Sequence, residues 1–169
     1  MSIDELPPEI LDSILSDLDQ ASLLAVIRTA RFLRPQAERL LYHKVDLRNA
    51  SMSRQRTIDF LTTVIGDPRL GSLVFSFRPH NFIKRPNSVD FNDLFSNAAK
   101  FLPNLRTLVI GRQGIFYPRW LGMDSLQTPP FHLQRLSMYL RPDNTGTCKV
   151  ARFLLEVLQR QPTLFHLTA

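Results

Sequence analysis

Five side chains of this 169-residue chain are of the types that ligate metals or act as nucleophiles: His43, His80, His132, His166 and Cys148. A structural zinc site draws its donors in closely spaced pairs. No two of these residues have that spacing. Cys148 as a nucleophile needs a base to hold it as thiolate; a distant histidine could serve, but a lone cysteine is far more often passive. Gly111-Arg112-Gln113-Gly114 lacks the glycines and the lysine of a phosphate loop. Asp67-Pro68 and Pro142-Asp143-Asn144-Thr145-Gly146 read as turns. The chain is expected not to be an enzyme and to need no metal or cofactor. One cluster suits binding rather than catalysis: Phe116, Tyr117, Arg119 and Trp120 around Pro118. Aromatics and arginine are enriched at interaction hot spots. Two readings stand for it: a substrate contact, or a plug where a helix is missing.

The elements that would position such contacts begin at the N-terminus. Pro8 suits the first turn of a helix, where its missing N–H has no partner to lose. Glu9 places a negative charge near the positive end of the dipole. Ile10, Leu11, Ile14, Leu15 and Leu18 recur at three- and four-residue spacing and share a face. Asp19 reads as the N-cap of a second helix through Leu23, Leu24 and Ile27. A third helical segment is expected from about Thr29, interrupted or restarted at Pro35, to near Tyr42. Val45-Asp46-Leu47 alternates like a short strand.

Charge divides the chain after residue 20. Residues 1–20 carry six acids and no base, whereas residues 21–169 carry all 21 bases and the other nine acids. The basic part suits nucleic acid or an acidic protein. Its bases are dispersed, however, and form no stripe, so nucleic acid is the weaker expectation. No run of about eighteen apolar residues spans a membrane, and no basic-then-apolar leader opens the chain. A single cysteine cannot form an internal disulfide, which favours the cytoplasm or nucleus.

Beyond a polar stretch at residues 48–54 a loose repeat is legible. Leu70-x-x-Leu73-x-Phe75, Leu105-x-x-Leu108-x-Ile110, Leu133-x-x-Leu136-x-Met138 and Leu164-x-x-Leu167 start 35, 28 and 31 residues apart. Helix-like segments precede three of them, at 58–65, 91–102 and 150–158. Helix, tight turn and short strand at about thirty residues is a leucine-rich pattern. The Asn or Cys such repeats carry is missing; Arg78, Gln113 and Arg141 stand there. An irregular α/β domain with chance leucine spacing is the other reading.

With these residues in view, Leu6-Pro7-Pro8-Glu9-Ile10-Leu11, the leucine spacing to Leu24, and Leu40-Leu41-Tyr42-His43-Lys44-Val45-Asp46-Leu47 resemble an F-box of fungal type. Two places depart from the family: Tyr42 stands where tryptophan is frequent, and Val26-Ile27-Arg28-Thr29-Ala30-Arg31 replaces a more polar stretch. The resemblance implies a Skp-type adaptor docked on Leu6, Pro7, Ile10, Leu11, Ile14, Leu15, Leu18, Leu23 and Leu24. Through that adaptor it implies a cullin, with a protein substrate held by the later region. The surplus of large apolar residues in so short a module points to a partner site independently.

The expected fold is therefore α/β: a three-helix F-box module at 1–47, then a short, irregular leucine-rich-repeat-like array at 48–169. The chain stops amid what reads as a repeat strand, either a truncated product or an end that a partner covers. A basic module for nucleic acid or an acidic protein, with no ligase role, is the alternative.

Overall fold

The structure, a computed structural model, describes residues 6–48, 53–79, 91–110, 131–138, 155, 158, 159 and 161–168. The chain forms two compact units, Met1–Lys44 and Val45–Ala169. The division falls three residues before the composition change, because Val45 and Asp46 belong to a sheet strand.

The first unit holds three helices, α1 (Pro8–Ser16), α2 (Gln20–Thr29) and α3 (Arg34–His43). Pro7 caps α1 in extended conformation with Pro8 in its first turn. Asp19 caps α2 as expected: the Ser22 N–H donates to its Oδ1 at 2.8 Å. Thr29 closes α2 instead of opening the third helix. The backbone turns extended at Ala30, and the helix resumes at Arg34 with Pro35 in its first turn, where proline is tolerated. Leu11, Leu15, Leu23, Leu33 and Ala37 form the core, with Leu6, Leu18, Val26, Ile27, Leu40 and Leu41 packed around it. An ion pair from Arg39 to Asp12 ties α3 to α1. Within α3, Arg34 Nε donates to the buried Glu38 at 2.8 Å.

The second unit is mixed α/β. Its helices among the described elements are α4 (Ser53–Gly66), α5 (Pro68–Gly71) and α6 (Phe91–Ala99). Its sheet is β1 (Lys44–Asp46), β2 (Ser76–Arg78), β3 (Thr107–Ile110), β4 (Arg135–Met138) and β5 (His166–Thr168), neighbours in chain order. From β2 to β5 every pairing is parallel, with Ser76, Thr107, Arg135 and His166 in register. The same bond recurs at each step. The Phe75 carbonyl accepts from the Arg106 and Thr107 N–H groups at 3.0 Å each. The Arg106 carbonyl accepts from Gln134 and Arg135 at 2.8 and 2.9 Å, and the Gln134 carbonyl from Phe165 and His166 at 3.2 Å each.

This register corrects the first repeat. The residue equivalent to Leu105 and Leu133 is Val74, not Leu70, and the strand residue equivalent to Leu108 and Leu136 is Phe77, not Leu73. All six are buried. Leu70 lies in α5. The starts at 74, 105, 133 and 164 are spaced 31, 28 and 31 residues apart, more evenly than the leucines alone suggest. Of the helix-like segments, 58–65 lies within α4 and the second ends at Ala99 rather than 102; the third falls largely outside the described residues.

Helices α4 and α6 touch each other, and both meet β2 at Phe77. Phe77 stacks on Phe60 of α4 with centroids 4.9 Å apart, and on Phe95 of α6 at 6.1 Å. Side chains also tie together the segments that lead into the strands. The Asn104 amide donates to the Ser72 carbonyl at 2.7 Å. The buried Gln161 accepts from the Leu133 N–H at 2.7 Å, so a main-chain donor beside the core keeps its partner.

Candidate functional site

The apolar stripe on α1 splits in two. At about 100° per residue, neighbouring positions of such a stripe cannot all face one core. Leu11 and Leu15 turn inward and are buried. Ile10 and Ile14, one turn apart, stay 48% and 47% exposed. On α2 the same division sets Leu23 inside and leaves Leu24 43% exposed. Leu6 and Leu18 are half-buried at the rim of the core, and Pro7 is exposed. So of the nine residues assigned to an adaptor, three hold the helices together and Pro7, Ile10, Ile14 and Leu24 face outward. Phe32, in the turn between α2 and α3, is also exposed at 44%. Sequence reading missed it because a lone aromatic in a turn has no periodicity to mark it.

Residues 3–48 match the family model of the F-box-like domain. The chain carries an F-box-like domain. No curated protein and no solved structure matches the chain. The matched span takes in α1 to β1, and F-box domains bind Skp-type adaptors. The outward isoleucines of α1 and Leu24 of α2 therefore belong to a domain whose family function is to dock.

The other candidate residues stand apart from this surface. Phe116, Tyr117, Arg119 and Trp120 lie outside the described residues, as do His80 and Cys148. His43 ends α3, His132 is exposed before β4, and His166 begins β5. Among the described residues no three His, Cys, Asp or Glu converge on a metal site. Nor is any described helix long and apolar enough to cross a membrane.

Asp19 gives the F-box-like domain a pH dependence. The Ser22 hydroxyl and backbone N–H both donate to its carboxylate and hold it below the ordinary carboxylate range. A depressed folded-state pKa means the cap's contribution is complete above the unfolded value of about 3.9 and is lost as pH falls through the folded one. NMR titration should find the Asp19 carboxyl midpoint below that value. Asp19→Asn should keep the helix start and abolish this part of the acid response, since Asn caps without ionising. An Asp19 midpoint at or above the ordinary value would refute the capped geometry.

Proposed function

We propose that the chain is the substrate-recruiting subunit of a Skp–cullin–F-box ubiquitin ligase. The single observation that carries this is an F-box-like domain with unsatisfied apolar side chains on its first two helices. Burying such a side chain in a partner stabilises by about 1.5–3 kcal/mol when it was fully exposed, and proportionately less for these half-exposed ones. In this reading Pro7, Ile10, Ile14, Leu24 and Phe32 contact the Skp-type adaptor. Leu11, Leu15 and Leu23 act indirectly, by fixing the helices that carry the contacts.

The second unit is the substrate holder, in the form of a short leucine-rich-repeat-like array. Its support is the parallel register at 31, 28 and 31 residues, the recurring doubly accepting carbonyl, and the buried rows Val74–Leu105–Leu133 and Phe77–Leu108–Leu136. No chemistry is asked of the chain. It raises the substrate's local concentration near a ubiquitin-charged enzyme, and tethering of this kind strengthens encounter by orders of magnitude without new contacts. The setting is the cytoplasm or nucleus, where such ligases work.

The test is bridging. Immobilised chain should retain a cullin N-terminal domain only when the Skp-type adaptor is also supplied. Retention of the cullin without the adaptor, or no retention with it, counts against the proposal.

A further inference from the structure

The sheet of the second unit has two faces, and among the described residues helices meet only one. Phe77, Leu108 and Leu136 are fully buried, and Phe77 meets Phe60 of α4 and Phe95 of α6. Alternation along a strand sends their neighbours the other way. These are Ser76 and Arg78 on β2, Thr107 and Val109 on β3, Arg135 and Ser137 on β4, and His166 on β5. Arg135 and His166 are exposed and the others half-buried. Just before β3, Arg106 is exposed, its guanidinium 5.5 Å from the centre of the Phe75 ring. The Phe75 carbonyl accepts both the Arg106 and Thr107 N–H groups at 3.0 Å, a bulge that interrupts the alternation at the start of β3. The Arg106 carbonyl accepts the Arg135 N–H at 2.9 Å, so Arg106, just outside β3, and Arg135, on β4, spring from touching backbone.

Adjacent like charges repel unless something answers them. Asp46, on β1, is held by Arg48 at 2.8 Å and Arg78 at 3.5 Å. Among the described residues no carboxylate pairs with Arg106 or Arg135. The β3–β4 part of the face thus offers two guanidinium forks beside the Thr107 hydroxyl, with Ser137 two residues further along β4, which is the complement of carboxylate.

We propose that this face, centred on Arg106 and Arg135, binds an acidic stretch of a protein partner. The inference rests on the substrate-holding reading and gives the substrate a chemistry. Strands about 4.8 Å apart make the β3-to-β5 span about 10 Å, matched by three or four extended residues. Nucleic acid fits less well: its affinity comes from many phosphate contacts along a basic track, and Val109 and Ser137 interrupt this one.

The experiment uses the purified full chain and fluorescence anisotropy. The probe is a labelled peptide of four consecutive glutamates flanked by glycine and serine; controls are the glutamine version and a twelve-nucleotide single-stranded DNA. The wild type should bind the glutamate peptide at least about tenfold more tightly than the glutamine peptide. Arg106→Glu with Arg135→Glu should lose at least about tenfold in affinity with unchanged circular dichroism, and Arg135→Gln alone about threefold. Arg56→Glu with Lys100→Glu, exposed charges off this face, should change little. No binding by the wild type, equal losses in both double variants, or tighter binding of the DNA overturns the inference. Adaptor capture, measured on the same samples, separates the two readings. A chain that captures adaptor but ignores the peptide overturns this site alone. A chain that binds the peptide through Arg106 and Arg135 but takes up no adaptor upholds the site and removes the ligase reading.

Discussion

Gly71→Ala should lower the stability of the second unit by about 2–4 kcal/mol, beyond the usual cost of an added methyl group. An added Cβ at Gly71 would lie 2.1 Å from the Phe101 carbonyl oxygen and 2.8 Å from Val64 Cγ1. Neither neighbour can retreat easily. Phe101 leads directly into the buried Leu102 and Leu105, and Val64 is itself fully buried on α4. Asp67 pins the other end of α5 by accepting the Arg69 N–H at 3.1 Å. Gly66 supplies the contrast, since nothing lies within 4 Å of its added Cβ. Gly66→Ala should be neutral or slightly stabilising, as alanine is the better helix residue. Urea denaturation of both variants checks this. A Gly71→Ala midpoint as high as that of Gly66→Ala would mean the close approach is not there.

Leu15→Ala and Ile14→Ala, one residue apart, should behave oppositely. Leu15 is 2% exposed at the centre of the three-helix core. Truncating a buried leucine costs about 2–5 kcal/mol, which is comparable to the whole stability of a unit this small. Leu15→Ala should therefore unfold the F-box-like domain and lose adaptor capture with it. Ile14→Ala should leave helicity and melting temperature nearly unchanged, because half of that side chain is already in water, yet weaken adaptor capture severalfold. Circular dichroism melts beside pull-downs distinguish a structural loss from a contact loss. If both variants melted alike, the division of the stripe into core and contact halves would be wrong.

Much of the first unit was legible because its signals are local. Pro8 and Asp19 mark helix starts by chemistry that needs nothing beyond the next turn. The apolar spacing from Ile10 to Leu18 announces a helix, but not which of two partners each residue faces. That division depends on where α2 and α3 pack, a tertiary fact, so Leu11 and Ile14 looked equivalent. Phe32 escaped notice because a single aromatic in a turn has no periodicity. In the second unit the leucine pattern found three strands and misplaced the first. Position 74 carries valine and position 77 phenylalanine, so leucine spacing points to Leu70 and Leu73, one helical turn too early. Backbone pairing fixes what residue identity could not. The arginine pair at Arg106 and Arg135 was invisible for a related reason: 29 residues separate them in sequence, and only the parallel register makes them neighbours.

Isothermal titration of the purified chain with its Skp-type adaptor tests the central claim most directly. Wild type should bind stoichiometrically. Ile10→Glu with Ile14→Glu should keep its melting temperature but bind about 100-fold more weakly or worse, since two charges would be forced into an apolar contact. Absence of wild-type binding, or equal affinity of the wild type and the correctly folded double variant, would contradict docking through the first helix.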